Sequence, residues 1–455
     1  MKYKILSIII LFSLLGCESI LDVEPKNLLS ADSAISSERG VQAALNGVYD
    51  GLQTAAIAQD VIIFGDLAAD NLIHVGSKKE YRQISDNRIY PDNVYIEGLW
   101  NDCYDNINRI NTLLEALPEV EELSENKLKY YEGQAYFLRA LNYFNLVKFY
   151  GGVPLKTEST TNASPEVLNI ARSGKNETYN FIMDDLDKAG SRLAVSSPED
   201  PSHANYWAVK ALMARIHLYR ESFTDAYLNA KDVINNSPFS LAADSSEFAN
   251  IFDEEAETNE IIFQVDFSAT DDNNAMASWT QEDGRFEVAA WESYDKENSI
   301  ADEYTENDWR KETTVKMGLD DYYCDKYNDL SGQSDNIVFL RIAEMYLICA
   351  EALNETGYVA DGWAFDYLNA VHSTAGLDSL TSTDITNKAE FRDAVMKERR
   401  LELAFEGHRY FDLVRTGKAP AVLGNIGTLA GANWLFPIPQ SELDANTKMT
   451  QNPGY

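Results

Sequence analysis

Aromatic side chains in polar surroundings are the residues of this sequence whose chemistry is most informative. Trp279 and Trp291 lie in a stretch dense in Asp, Asn, Glu and Ser, and Tyr81 lies in an earlier polar stretch. The flat face of an indole or phenol ring stacks on the apolar C–H face of a sugar, while neighbouring polar groups bond its hydroxyls. We therefore predict that some of these rings bind a saccharide, with Tyr294 and Tyr322 as weaker candidates. The alternative is that the two tryptophans pack between this stretch and the rest of the fold.

The charge of the chain restricts the ligands and partners that it can take. It has 73 Asp and Glu residues against 38 Lys and Arg residues, which gives a formal net charge of -35 at pH 7. An excess of this size disfavours binding to nucleic acid and adhesion to an anionic lipid surface. It also favours a neutral glycan over a polyuronate or a sulfated glycan, because an acidic surface repels both.

Motifs of catalysis and cofactor binding are absent from the sequence. It contains no HExxH, CxxC, P-loop or Gly-rich dinucleotide fingerprint, and its five histidines are spread over the chain. We therefore expect no metal, no cofactor and no enzymatic activity, and we expect His408 to be a core residue. Paired carboxylates could hydrolyse glycosides, but 73 acidic residues make such pairs uninformative. A surface hydrolase remains an alternative.

The first residues form a processing signal. Lys2 and Lys4 precede the apolar run Ile5–Leu15, and Cys17 follows directly after Gly16. That run is too short to span a bilayer, so the pattern predicts a signal peptide over residues 1–16 with cleavage before Cys17. Acyl chains attached to Cys17 would then anchor the protein to membrane lipid. The other three cysteines are odd in number and far apart, which predicts no disulfide framework.

The element that organises the chain is predicted at Phe391–Lys418, which reads FRDAVMKERRLELAFEGHRYFDLVRTGK. Apolar residues follow helical spacing on two sides, so we expect a central helix packed between neighbours. Gly407 permits a bend or a close backbone approach, and Gly417 is placed as a C-cap. Opposite charges recur three residues apart and predict an internal network of ion pairs. The predicted pairs are Arg399–Glu402, Glu406–Arg409, Arg409–Asp412 and Asp412–Arg415.

Helical periodicity dominates the rest of the chain and predicts irregular pairs of helices, as in tetratricopeptide repeats. The predicted helices span residues 30–53, 100–117, 125–150, 177–193, 203–235 with a break near Ser222, 338–355 and 363–373. Residues 260–269 alternate and predict a strand, and residues 74–97 predict a long exposed loop or short strands. The fold class is therefore mainly α, with helix pairs as a scaffold, a loop-rich insert and a few short strands.

Several long segments resemble the SusD/RagB family. The strings ERRLELAFEGHRYFDLVRTGK and LFPIPQSELDANTKMTQNPGY are similar to its C-terminal signature. GQAYFLRALNYFNLVKFYGGVPL, IVFLRIAEMYLICAEALNETG and CESILDVEP resemble further family segments. Asp308 and Arg310 match a family position of structural role. His372 and Thr374 stand where relatives usually carry arginines, so a local salt bridge of the family is not carried over.

The resemblance implies a surface lipoprotein of the kind that Bacteroidota use to bind nutrients for a TonB-dependent outer-membrane transporter. It implies one SusD-like domain over residues 17–455, with a helix-pair scaffold at about 99–235 and 338–418. The insert at about 238–336 would bind the ligand together with the early polar loop that carries Tyr81, and residues 419–455 would form the signature tail. The expected partners are a glycan, a SusC-like transporter and outer-membrane lipid held through Cys17, with the protein facing the cell exterior. The alternatives are a RagB-like peptide-binding member and a helical scaffold without a small ligand.

Overall fold

The computed structural model describes residues 34–160, 162, 164–194, 200–253, 256, 258–270, 274–290, 299–319, 322–424 and 434–455. The predicted signal peptide and Cys17 lie outside these residues, as do Trp291 and Tyr294. Among the described residues no helix has the length and apolar character needed to cross a bilayer. Cys103, Cys324 and Cys349 are buried free thiols. This agrees with the prediction, made from their number and spacing, that they form no disulfide framework.

Most of the described chain is helical, and its strands are short. The helices are α1 (Glu38–Asp50), α2 (Val61–Leu67), α3 (Lys79–Ser85), α4 (Val94–Ala116), α5 (Glu125–Tyr150), α6 (Pro165–Leu168), α7 (Lys175–Arg192), α8 (Tyr206–Tyr219), α9 (Phe223–Asn236), α10 (Ser245–Asn250), α11 (Met276–Thr280), α12 (Ile300–Glu303), α13 (Arg310–Thr314), α14 (Ile342–Thr356), α15 (Trp363–Thr374), α16 (Lys388–Glu402), α17 (Arg409–Arg415), α18 (Ala419–Leu423) and α19 (Gln440–Ala445). A π-helical turn at Ala56–Asp60 precedes α2, and a 3₁₀ turn at Leu117–Glu119 follows α4. The strands are β1 (Leu72–His74), β2 (Ile261–Val265), β3 (Val288–Ala290), β4 (Val315–Met317), β5 (Tyr322–Cys324) and β6 (Ile337–Arg341). They form the antiparallel pairs β1–β3, β2–β6 and β4–β5.

The helices pack in pairs, which confirms the predicted scaffold. Helix α5 contacts α4 and α7, α8 contacts α9, and α14 contacts α9, α15 and α16. Helix α5 has the predicted bounds and ends at Gly151, whose φ of 78° terminates it as a C′ residue. The predicted break near Ser222 is confirmed, because α8 ends at Tyr219 and α9 begins at Phe223.

Two predicted elements differ from the structure. The segment predicted as one helix over residues 338–355 starts with β6, and α14 begins only at Ile342. Every residue of β6 is buried, and an apolar run of this length suits a buried strand as well as a helix. The segment 74–97, predicted as a loop or short strands, contains α3 and the start of α4. Tyr81 and Ile84 of α3 are directed into the core, which the polar sequence around them concealed.

The predicted central helix is two helices joined by a turn at residues 403–408. Helix α16 ends at Glu402, and Phe405 and Gly407 in the turn have φ values of 62° and 77°. Gly407 makes the close backbone approach that the sequence permits: a Cβ added to Gly65 of α2 would lie 2.4 Å from the carbonyl oxygen of Gly407. The Asp66 carboxylate accepts a hydrogen bond of 2.8 Å from the Gly407 N–H, and burial raises the pKa of Asp66 to about 7. This turn therefore fastens the end of the chain to α2.

The predicted ion pairs are mostly replaced by pairs with other elements. Asp412–Arg415 forms at 2.8 Å, whereas Arg399 binds Asp412 at 2.7 Å and Arg409 binds Asp70 at 2.6 Å. The pairs Arg399–Glu402, Glu406–Arg409 and Arg409–Asp412 do not form. The turn separates Glu406 from the helix that holds Arg409, whereas Arg399, Glu402 and Arg409 stay in helices and pair instead with Asp412, with Arg310 and Arg341, and with Asp70.

A buried group of charges, the ion core, surrounds Arg341. Its guanidinium lies within 2.7 Å of carboxylate oxygens of Glu260, Glu402 and Glu406. Arg310 joins the ion core from α13, and its partners are Asp308, Glu398 and Glu402. Lys326 binds Glu406 at 2.7 Å, and His372 lies 2.8 Å from Glu398, where the family departure had removed an arginine. The ion core therefore joins the insert to the C-terminal helices.

Candidate functional site

The early segment of the chain, residues 72–97, and the insert meet along a small sheet. Strand β1 pairs with β3, with Leu72 opposite Ala290 and His74 opposite Val288. The carboxylate of Glu287, next to β3, accepts backbone hydrogen bonds from Ser77 at 3.0 Å and Lys78 at 3.1 Å. This junction places α3 of the early segment beside α11 of the insert, about 200 residues away along the chain.

Three rings from these two segments form the aromatic cluster: Tyr81, Tyr95 and Trp279. The ring centroid of Tyr81 lies 4.7 Å from that of Tyr95 and 4.8 Å from that of Trp279. The centroids of Tyr95 and Trp279 are 6.2 Å apart. Tyr95 meets both other rings edge to face, an arrangement worth about 0.5–1.5 kcal/mol per pair beyond the burial of area. The structure thus brings together Tyr81 and Trp279, two of the five predicted ligand-binding residues.

Lys78 lies over the aromatic cluster. Its ammonium is 4.9 Å from the ring of Trp279 and 5.3 Å from that of Tyr95, and it donates a hydrogen bond of 2.5 Å to the Tyr95 hydroxyl. None of the described residues offers Lys78 a carboxylate within 4 Å. Lys78 and Tyr95 are only partly buried, so they form the accessible part of this site.

Tyr81 is buried, whereas stacking on a ligand requires an exposed ring. It has 0% exposure, and its hydroxyl donates a hydrogen bond to the buried carboxylate of Asp60. Burial raises the pKa of Asp60 to about 7, and burial together with Asp60 raises the pKa of Tyr81 well above its ordinary value. The expectation that Tyr81 presents its ring to a ligand is therefore corrected: the ring supports Tyr95 and Trp279 from within.

Trp279 fills the seam between insert and early segment, the alternative that the sequence left open. It is 8% exposed, and its Nε1 has no hydrogen-bond partner among the described residues. Tyr322 lies apart in β5, half buried, with the Lys311 ammonium 5.9 Å from its ring. Direct ligand contact by Trp279 and Tyr322 stays a prediction, as it does for Trp291 and Tyr294 outside the described residues.

Sequence reasoning missed Tyr95 and Lys78. Both lie in the same polar stretch as Tyr81, and that shared position was the only signal for them. No motif marks Lys78, whose role follows from the backbone bonds to Glu287 that hold it above the rings. The described residues contain no group of three or more His, Cys, Asp and Glu side chains that could hold a metal ion.

Two family models match the chain and together cover most of it. A model described as "Starch-binding associating with outer membrane" matches residues 20–218, and a model described as "SusD family" matches residues 294–455. The first includes the early segment of the candidate site, and the second includes β6, the ion core helices and the C-terminal tail.

Full-length relatives and solved structures agree with the family models. SusD-like protein P38 of Formosa agariphila is 28% identical and aligns over 100% of both chains, and a SusD-like protein of Bacteroides ovatus is 22% identical over 87% of this chain and 79% of its own. A solved laminarin-binding SusD-like protein superposes with a TM-score of 0.79 at 26% identity, covering 92% of this chain and 100% of its own. A SusD superfamily protein from Bacteroides vulgatus shares the fold with a TM-score of 0.80 at 18% identity, with the same coverage of both chains. Fold and sequence agree, and the chain belongs to the SusD/RagB family.

Proposed function

We propose that this protein is a cell-surface lipoprotein that captures an oligosaccharide or polysaccharide and delivers it to a SusC-like, TonB-dependent outer-membrane transporter. The observation that carries the proposal is the aromatic cluster, in which rings from two distant segments lie beneath one lysine at the edge of the insert. A similar protein, the solved SusD-like structure named above, is described as laminarin-binding. Binding is passive, and the protein itself performs no chemistry on the ligand.

The ligand surface is built in two layers. Tyr95 and Lys78 form the accessible layer, where the phenol ring offers a stacking face and the ammonium donates to sugar hydroxyls. Tyr81 and Trp279 form the buried layer that fixes the Tyr95 ring. Trp291 follows β3 directly in the sequence and remains a candidate for the accessible layer.

The ligand is a neutral glycan, because the net charge of -35 repels polyuronates and sulfated chains. A shallow, hydrated contact of this kind loses much of its gain to ordering and desolvation. We therefore expect a dissociation constant on the order of micromolar to millimolar.

Titration calorimetry with laminarin and starch oligosaccharides tests the proposal. Tyr95→Ala is expected to weaken binding by about 1–3 kcal/mol, taking ring stacking on nucleobases as the scale. Tyr90→Ala is the matched control, since Tyr90 lies in the same segment, is 51% exposed and contacts no other described ring closely. Trp279→Ala is expected to lower stability by about 3–5 kcal/mol, as truncation of a buried ring does.

Three outcomes contradict this reading. Unchanged affinity in Tyr95→Ala and Lys78→Met, with unfolding midpoints like the wild type, removes the aromatic cluster from the ligand surface. Equal losses of affinity in Tyr90→Ala and Tyr95→Ala show that the binding surface is not centred on the aromatic cluster. New reducing ends released from the glycan during the titration identify a hydrolase instead of a passive binder.

The anchor and the transporter need separate experiments. Cys17→Ala is expected to abolish labelling with palmitate and to release the protein from the membrane fraction; continued labelling and retention contradict the lipoprotein. Purification of the native complex from detergent-solubilised outer membranes is expected to yield a TonB-dependent transporter in stoichiometric amount. Recovery of the protein without such a partner contradicts the delivery step.

A further inference from the structure

We propose that a second saccharide-binding site lies in the cleft between α1 and the end of β2, which we name the α1 cleft. Its volume is about 640 Å³, which accommodates one or two sugar rings, and its walls come from α1, the segment before α8 and the end of β2. It shares no residue with the aromatic cluster. The ligand class rests on the proposed function, and the second site goes beyond it.

An aromatic wall is fixed on one side of the α1 cleft. Tyr49 and His203 are partly exposed, and their ring centroids lie 5.0 Å apart at a tilt of 58°. The Tyr49 hydroxyl donates to the Gln134 side chain and accepts a hydrogen bond of 2.8 Å from the Ala204 N–H. Because its polar end is held inside the protein, Tyr49 presents ring surface and not its hydroxyl to the cleft.

Polar groups suited to sugar hydroxyls line the remaining walls. Asp50 and Asp266 are exposed carboxylates, and the Gln53 amide is positioned by its hydrogen bond of 2.9 Å to the carbonyl oxygen of Asp266. Asn46 accepts a hydrogen bond of 2.8 Å from Gln42 through its oxygen, and its amide N–H groups have no partner among the described residues. Ring faces with converging amides and carboxylates are the side-chain set that binds an uncharged sugar.

Gly47 gives an independent reason to expect a ligand. It lies inside α1, where glycine is among the least favourable residues, and it lines the α1 cleft. A Cβ added to Gly47 would meet no atom within 4 Å, so the fold itself does not require a glycine there. Gly65 is the contrast, since the backbone of Gly407 excludes any side chain at that position. A ligand lying against the backbone of α1 explains the glycine at position 47.

The charges around the α1 cleft select an uncharged ligand. Asp50 and Asp266 line it, and Asp200 bonds the lining residues Ser202 and His203. Asp50 is paired with Arg109 at 3.4 Å. Carboxylates at this density repel uronate and sulfate groups, so the occupant is a neutral saccharide unit.

Filling the α1 cleft tests the proposal. Gly47→Trp is expected to remove one of two binding events for laminarin or starch oligosaccharides, measured by calorimetry, with at least a tenfold loss of affinity at this site. Gly47→Ala is expected to weaken the same binding event, because its Cβ would occupy the space where the ligand lies against α1, and to raise the unfolding midpoint, because alanine favours the helix. Gly190→Ala is the matched control for the helix effect, since its Cβ would meet Val209 at 3.5 Å, an ordinary contact distance, on α7. Asn46→Ala and Asp266→Ala change exposed positions and are expected to weaken the same binding event. They provide the test if Gly47→Trp fails to fold.

The outcomes separate this proposal from the proposed function. A wild type that binds glycan, together with Gly47→Trp, Asn46→Ala and Asp266→Ala variants that bind identically to it, overturns the α1 cleft alone. A wild type that binds no neutral glycan overturns the proposed function and the ligand class of this site with it. A Gly47→Ala variant less stable than the wild type shows that the fold needs the glycine, and it overturns the argument from Gly47.

Discussion

The ion core and the aromatic cluster both join segments that are far apart in the chain, yet they are held by different forces. In the ion core, Arg341 has three carboxylate partners and donates in addition to the Glu402 carbonyl oxygen at 2.6 Å. In the aromatic cluster, the Trp279 Nε1 has no partner among the described residues, and the Lys78 ammonium donates a hydrogen bond to one described acceptor, the Tyr95 hydroxyl. The comparison teaches that the ion core is fixed by saturated polar contacts, whereas the aromatic cluster keeps hydrogen-bond donors without a partner among the described residues.

This difference follows from the cost of burying charge. Removing one partner from a buried ion pair leaves an uncompensated charge, so each member of the ion core depends on the others. Arg341 and Arg310 hold the pKa of Glu402 at about 2 although burial opposes them. Aromatic contacts carry no such penalty, and a ring can exchange a protein neighbour for a sugar at little cost. Under the proposed function, rigidity and ligand exchange belong to separate regions.

The largest effect is expected for Arg341→Met, which leaves Glu260, Glu402 and Glu406 without their shared cation. We expect the free energy of unfolding to fall by about 3–5 kcal/mol in chemical denaturation. Lys129→Met is the matched control, because it breaks the exposed pair with Glu125 and is expected to cost about 0–1 kcal/mol. Equal small losses in both variants would show that the ion core is hydrated and would remove its contrast with the aromatic cluster.

A smaller loss is expected for Arg409→Ala. Its guanidinium binds both oxygens of Asp70, at 2.6 and 2.8 Å, but Asp70 keeps Arg400 at 3.3 Å. The remaining cation limits the loss to about 1–3 kcal/mol, the range for unsatisfied hydrogen bonds to charged groups. Thermal and denaturant unfolding measure it. A loss matching that of Arg341→Met contradicts compensation by Arg400.

Tyr81→Phe probes the polar contact beneath the aromatic cluster. It removes the hydroxyl that bonds Asp60 while keeping the ring, and we expect a loss of about 1–3 kcal/mol. Burial raises the pKa of Asp60 to about 7, so its carboxylate is charged at pH 8 and neutral at pH 5. Since the hydroxyl stabilises the charged form, the loss is expected to be larger at pH 8 than at pH 5. An equal loss at both pH values contradicts the ionised pair.

The smallest effect concerns the pH dependence of stability at three buried carboxyls: one beneath the aromatic cluster, one in the ion core and one in α2. Burial raises the pKa values of Asp60, Asp66 and Glu260 to about 7. Between about pH 4 and 7 these three carboxyls therefore bind more protons in the folded state than in the unfolded state, and the stability that they contribute falls as the pH rises. Asp66→Asn removes one of these proton-binding sites. The free energy of unfolding, measured across this pH window, is therefore expected to fall less steeply with rising pH than in the wild type. A slope unchanged from the wild type contradicts proton uptake at Asp66.

Local patterns in the sequence predicted the helix pairs and the identity of the charged residues, but not how those residues pair. The bounds of α5 and the break near Ser222 follow from periodicity and from Gly151. The turn after Glu402 was not predictable, because Phe405 takes a positive φ that non-glycine residues seldom adopt. Once the helix is interrupted there, the ion partners come from elements remote in sequence, which no spacing rule reveals.

The candidate site was predictable in composition but not in exposure. Aromatic residues in polar stretches led to Tyr81 and Trp279, and the family resemblance placed their segments near one face. Their burial depends on α3 turning Tyr81 toward Asp60, and on Glu287 anchoring the loop before α3. Tyr95 and Lys78 became candidates only through these tertiary contacts, because a polar stretch by itself does not distinguish an exposed ring from a buried one.

The contact between α2 and the turn before α17 has a consequence for how the chain folds. Asp66 and Gly407 are 341 residues apart, and the backbone contact of Gly65 with Gly407 closes the same loop. Contacts of such long range slow folding, because the entropy of loop closure is lost before the contacts form. A growing chain cannot complete its core until the residues of α17 have been synthesised, so the earlier helices remain without their final neighbours during translation. The contact of α2 with this turn is therefore expected to be among the last to form, after the residues around Gly407 have left the ribosome.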